Sequence, residues 1–206
     1  MKRLLAITAV AVVLLVGAGC KSKSKDVFPM TVGSTWAYEG YVSAESTLAA
    51  ADTVATTTLN IKVERETSLE SGETVVEISR VTSLHILASG STLTDTAMEY
   101  CRDVGDVILS YSSLSDSTAD TVMMNDLSVG KTWVMGTGTA EVTAQEAVTV
   151  PAGSYSDAWK VKVTYTGNEW TNWVAPGVGL VKTANTYQES GTTYVAHSEL
   201  TEVTIK

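Results

Sequence analysis

The feature that most constrains this chain is an alternation of side-chain character with period two. Between Trp159 and Thr166, Trp159, Val161, Val163 and Tyr165 fall on one face, and Lys160, Lys162, Thr164 and Thr166 on the other. That is the pattern of a β-strand with one buried face and one wetted face. Leu59, Ile61 and Val63 against Asn60, Lys62 and Glu64 repeat it. A wet face on each strand argues against a parallel sheet covered by helices and for an antiparallel one. Thr, Val and Ser are abundant, Pro is scarce, and helical periodicity is hard to find after the N-terminal segment.

Turn chemistry places the connections. Ser71-Gly72, Ser89-Gly90, Gly167-Asn168 and Ser190-Gly191 each separate two β-type runs and predict hairpins, so the C-terminal part is expected to be a meander. In the last strand Tyr194, Ala196 and Leu200 share one register while Val203 and Ile205 fall in the other, which predicts a bulge or sharp bend. Ser43 to Thr58 and Ser112 to Asp120 lack clean alternation and are expected to be loops or ragged strand ends, with a brief helical turn at Ala49-Ala50-Ala51. One element occurs twice, as Val32-Gly33-Ser34-Thr35-Trp36 and as Val129-Gly130-Lys131-Thr132-Trp133. In each, Gly swings the chain into a strand and Trp supplies a large buried surface near its start. Two similar strand entrances explain the repeat; a duplicated half-domain is the alternative.

The N-terminal segment gives an address. Lys2 and Arg3 precede an apolar run from Leu4 to Val16, followed by Gly17, Ala18, Gly19 and Cys20, the layout of a signal peptide. The run falls short of the roughly 20 residues a spanning helix needs. Gly19 and Ala18 before Cys20 resemble the lipobox of bacterial lipoproteins, although Gly17 stands where that pattern has a branched aliphatic residue. The resemblance implies acylation of Cys20, and two or three acyl chains anchor durably where one does not. Lys21, Lys23 and Lys25 alternate with Ser22 and Ser24 as a solvated tether. Lys21 is not the Asp that, by resemblance to enterobacterial sorting rules, retains a lipoprotein in the inner membrane, which implies the outer membrane.

The formal charge of -9 disfavours nucleic acid as a partner, since phosphate contact needs a basic face. With Cys20 acylated, Cys101 is the one remaining thiol, expected to be buried and inert. The expected organisation is therefore a signal peptide over 1–19, a lipidated tether over 20–27, and a single β-rich domain over 28–206.

Three blocks carry a family resemblance. They are Phe28-Pro29-Met30-Thr31-Val32-Gly33-Ser34-Thr35-Trp36-Ala37-Tyr38, Val150-Pro151-Ala152-Gly153-Ser154-Tyr155 leading into Trp159-Lys160-Val161, and Trp173-Val174-Ala175-Pro176-Gly177-Val178-Gly179-Leu180-Val181-Lys182. Together they resemble the TapB-like group of exported bacterial β-proteins, often lipoproteins. The resemblance implies an all-β fold, a single curved antiparallel sheet or half-barrel rich in meander connections, broadly like periplasmic lipoprotein carriers. It implies no catalytic residues. The residues of the blocks agree with turn formation: Val150-Pro151-Ala152-Gly153 suits a type I turn, and Ala175-Pro176-Gly177 a tight reversal.

No residue set carries recognisable chemistry. His85, in Leu84-His85-Ile86-Leu87, and His197 have no second ligand at metal spacing, and no nucleophile elbow occurs. Glu64, Glu66, Glu70, Glu73 and Glu77 are expected to be a solvated face, and Asp116 with Asp120 and Asn125 with Asp126 form no calcium-loop motif. No enzyme activity, cofactor or metal is expected. The remaining candidates are aromatic: Trp36, Trp133, Trp170 and Trp173, with Trp159, Met123 and Met124, are core residues unless a curved sheet exposes some of them to an apolar ligand, a glycan or a protein segment. Trp170 and Trp173 are three apart and so face opposite sides of a regular strand. The functional expectation is a non-enzymatic envelope lipoprotein contacting other envelope components, with a carrier of a hydrophobic ligand as the alternative.

Overall fold

The computed structural model describes residues 27–46, 49–165 and 168–206. The signal peptide, Cys20 and the lysine tether lie outside the described residues, as does Gly167 of one expected turn.

The described chain is all β. Twelve strands run in order: β1 (Thr35–Ser46), β2 (Ala49–Ser68), β3 (Thr74–Ile86), β4 (Ser91–Asp103), β5 (Val107–Tyr111), β6 (Asp120–Met124), β7 (Thr132–Met135), β8 (Gly138–Val150), β9 (Gly153–Tyr165), β10 (Asn168–Ala175), β11 (Gly179–Glu189) and β12 (Thr192–Thr204). They form one antiparallel sheet in the order β6-β5-β4-β3-β2-β1-β12-β11-β10-β9-β8-β7. Two six-strand meanders are thus joined where the first strand pairs with the last, from Thr35 opposite Thr204 to Glu45 opposite Thr193. The edges β6 and β7 approach each other without a hydrogen-bonded ladder, so the sheet is a nearly closed barrel with one seam.

The repeated pentapeptide marks the same place in each half. Gly33 and Gly130 have φ of 88° and 86°, a region open mainly to glycine. Gly33 N donates to Val63 O and Val63 N to Ser34 O; Gly130 N donates to Val142 O and Val142 N to Lys131 O. Both valines are fully buried, and each strand bulges immediately afterwards, between Val63 and Arg65 and between Val142 and Ala144. The correspondence continues across the sheet, with Ile78 matching Val161, Glu99 matching Asn172 and Cys101 matching Val174. The two halves share one meander order and these corresponding positions.

Of the two alternatives for Ser43 to Thr58, loop or strand ends, the described residues are strand ends, the last of β1 and the first of β2. One expectation is corrected: Ala49-Ala50-Ala51 opens β2 rather than making a helical turn. The register shift in the last strand is present: Leu200 faces Tyr38 and Glu202 faces Ala37, leaving Thr201 as the extra residue. Ser112 to Ala119 is a loop.

The barrel is filled unevenly. Its lower end, where β1 begins and β10 ends, is plugged by Val27, Phe28 and Met30, all buried. Phe28 packs on Trp36 with ring centroids 4.6 Å apart. The Ala175-Pro176-Gly177 reversal closes with Val178 N donating to Ala175 O and Gly177 at φ 74°, a type II pattern. The β8–β9 hairpin also folds over this end, its Ala152 N–H donating to the Leu200 carbonyl and its Val148 and Val150 joining the core. Burial of these apolar side chains, each contributing about 1.5–3 kcal/mol, holds the barrel together; Cys101 is buried within it.

Candidate functional site

Above the plug the barrel interior changes character. Alternation along β10 points Trp170, Asn172 and Val174 inward, and along β11 Thr183, Asn185 and Tyr187. Trp170 stands opposite Asn185, and Asn172 opposite Thr183. Trp133, Ala140, Val163, Trp170 and Asn185 lie on a single cross-strand row from β7 to β11. Asn172, Thr183 and Asn185 are buried, which costs free energy unless their polar atoms are hydrogen-bonded.

Among the described residues that condition fails for Asn185. Asn185 Oδ1, Trp133 Nε1 and Trp170 Nε1 are buried and have no hydrogen-bond partner, nor has Glu99 Oε2. Buried polar groups are satisfied in the large majority of cases, so four such atoms on the inner wall are informative. Glu99 projects from β4, at the position that corresponds to Asn172 in the other half. Its Oε1 accepts from Ser110 Oγ at 2.5 Å and its Oε2 lies 3.9 Å from Arg80 Nη1. Burial lifts the Glu99 carboxyl above its ordinary range, outweighing the hydroxyl and the guanidinium.

The upper wall is wet on its inner side. On β3 and β4 the inward positions include Leu84 paired with Leu93, and Leu93 is 54% exposed. The mouth on the other wall carries Tyr187 opposite Tyr194, stacked at 5.3 Å, and Tyr165 meets Trp170 edge-on at 6.0 Å.

The four tryptophans expected at an apolar site are therefore not gathered in one place. Trp36 is buried in the core with its Nε1 donating to Val178 O at 2.7 Å. Trp173 faces outward, donates to Glu146 Oε1 at 2.6 Å, and lies between Lys160 and Lys182, whose Nζ atoms are 5.3 and 5.8 Å from its ring centroid. Trp133 and Trp170 face inward with free indole N–H groups. The polar partners Asn172, Thr183, Asn185 and Glu99 were invisible as a site in the sequence, because they are single residues on strands whose pairing only the fold reveals.

A second cleft, of about 300 Å3, opens at the lower end between Val27, Asp106, Asn125, Leu127, Trp159 and Pro176. Two of its polar side chains are engaged: Asn125 Nδ2 donates to Asp103 Oδ1 and to Gly105 O, and Asp126 pairs with Lys131. Asp116 accepts from the backbone N–H groups of Ser112 and Ser113 and from the Ser113 hydroxyl, which shapes the β5–β6 loop. Among the described residues no group of three or more His, Cys, Asp or Glu side chains is placed to hold a metal ion. His85 bonds Thr92 on the outer face, and His197 packs against Tyr41, its pKa lowered first by burial and then by Lys182.

No protein-family model matches the chain and no curated protein matches it, so the TapB-like resemblance stands on the sequence blocks alone. Among solved structures, a protein from Parabacteroides distasonis described as a lipoprotein aligns at a TM-score of 0.44 and 17% identity, over 89% of this chain and 100% of that one. An exported protein with a YmcC-like fold from Bacteroides fragilis aligns at a TM-score of 0.46 and 14% identity, over 84% of this chain and 96% of that one.

Proposed function

We propose that this chain is an exported, lipid-anchored envelope protein that binds a ligand in the upper part of its barrel and carries no catalytic chemistry. The observation that supports binding is the set of buried, unpartnered polar atoms on the inner wall, Asn185 Oδ1 and Trp170 Nε1 foremost. Groups of this kind cost about 1–3 kcal/mol each when left unmade, a cost that a bound molecule would remove. The absence of chemistry is supported by the two histidines, which stand on the outer face away from the lumen. The anchor is supported by the Lys2-Arg3 start, the apolar run and the lipobox-like Gly17-Ala18-Gly19-Cys20, and Lys21 favours the outer membrane, facing the periplasm or the surface. Kinship with the TapB-like exported proteins rests on the three turn-rich blocks.

Two measurements test this. Mass spectrometry of the mature N-terminus from the membrane fraction is expected to show an acylated Cys20; a free N-terminus at another residue defeats the anchor. Native mass spectrometry of protein purified from its own envelope is expected to show a bound adduct that is lost in Trp170→Ala. The inward Leu84 and Leu93 favour a second candidate, carriage of a hydrophobic ligand, for which the adduct would be a lipid.

A further inference from the structure

Resting on the lumen as the binding site, we infer that its ligand is an uncharged, hydroxyl-rich molecule of the carbohydrate class, seated against Trp170 and the Tyr187–Tyr194 pair and hydrogen-bonded to Asn185. Three observations lead there.

The unsatisfied groups are of both kinds. Asn185 Oδ1 can only accept, and the indole N–H groups of Trp133 and Trp170 can only donate. A hydroxyl does both and serves either group, whereas an acyl chain would leave each without a partner. Asn185 is only 5% exposed, so the missing bond is not supplied by bulk solvent.

The wall from β9 to β12 sorts its charges. Lys162, Glu169, Lys182 and Glu199 all point outward and pair with one another, Lys162 with Glu169 and Lys182 with Glu199 at 2.6 Å. Their strand neighbours facing the lumen are Val163, Trp170, Thr183, Asn185, Ala196 and Ser198, none of them charged. On the opposite wall the inward register positions carry Arg80 and Glu99, 3.9 Å apart, and three exposed carboxylates, Asp52, Asp95 and Asp120, none of them on a strand next to Asn185. A charged ligand would meet no counter-charge beside Asn185.

Flat rings are available at the mouth. Tyr187 and Tyr194 are the next inward positions above Asn185 and Ala196, both half-buried, and Trp170 is next to Asn185. Aromatic faces beside hydrogen-bonding side chains fit a sugar ring, which has an apolar C–H face and a polar rim.

The test is titration of the purified domain with glucose, galactose, mannose, N-acetylglucosamine, maltose and cellobiose, with dodecanoate in parallel, read by tryptophan fluorescence and calorimetry. At least one sugar is expected to bind saturably, with affinity falling about tenfold in Asn185→Ala and in Trp170→Ala and unchanged in Trp173→Phe on the outer face. Tyr187→Ala, at the half-exposed mouth, serves where a buried substitution impairs folding. Saturable dodecanoate binding that Trp170→Ala abolishes, with every sugar silent, overturns the carbohydrate assignment and leaves the lumen as the site. Sugar binding indifferent to all three lumen substitutions overturns both, as does silence of every probe.

Discussion

Glu99 is the residue whose environment most departs from that of an ordinary surface carboxylate. Burial raises its pKa above the ordinary 4.5, against the lowering by Ser110 and Arg80. A carboxyl raised in this way contributes stability that is fully present below its unfolded value and is lost as pH rises through the folded one. The wild type is therefore expected to gain stability relative to Glu99→Gln as pH falls from neutral to about 5. Urea unfolding of both proteins across that range checks it; parallel profiles would mean that the carboxyl is not desolvated. Gly179 is the second such residue. It has φ 93°, and a Cβ there would lie 2.2 Å from the Phe28 ring, whereas Gly72, at φ 92°, has nothing nearby. Gly72→Ala should cost about 1 kcal/mol of backbone strain, and Gly179→Ala about 2–4 kcal/mol, because overpacking adds to it. Equal losses in a thermal unfolding series would show that the plug yields freely.

At the scale of elements, the sequence reveals strands wherever one face is wet and the other packed. β9 and the lower part of β2 alternate cleanly because Val161, Val163, Ile61 and Val63 meet the core. It hides strands where the sheet rises above the core. The upper parts of β1 and β2 are built of Ser, Ala and Thr in succession, so no apolar–polar alternation marks them, and sheet pairing rather than local pattern makes them strands. The candidate site was hidden for the same reason. Trp170 was visible as inward or outward only relative to Trp173, and Asn185 had no signal until β10 and β11 were paired. The doubled Val-Gly-Xaa-Thr-Trp element is expected as two similar strand entrances, and the fold places both at the same point of the two meanders. The repeat also locates a weak point. The β12–β1 joint is a full ladder, while its counterpart joins β6, of 5 residues, to β7, of 4, without one. Backbone amides of β6 and β7 are expected to exchange with deuterium well before those of β1 and β12; comparable protection would show that the seam closes in solution.

For the whole molecule, the plug fixes how the barrel would stand on a membrane. Val27 is locked in the lower end, and the segment from Cys20 to Val27 reaches at most about 25 Å when fully extended. With Cys20 acylated as proposed, the lower end faces the bilayer and the aromatic mouth faces away, open to a soluble ligand and turned from the lipid. β4 provides the ruler, because it runs from the Ser89-Gly90 turn at the upper end to the Gly105-Asp106 turn at the lower. Its 13 residues span about 40 Å along the strand, or about 30 Å of height at the usual barrel tilt. A fluorophore on Ser89→Cys should then transfer energy to a lipid-borne acceptor much less efficiently than one on Asp106→Cys, in vesicles carrying the acylated protein. Cys101 is buried and does not compete for the label. Equal transfer from both positions would mean that the barrel lies on its side, with its mouth at the lipid surface, the posture that suits a lipid carrier rather than a receptor for a soluble polar ligand.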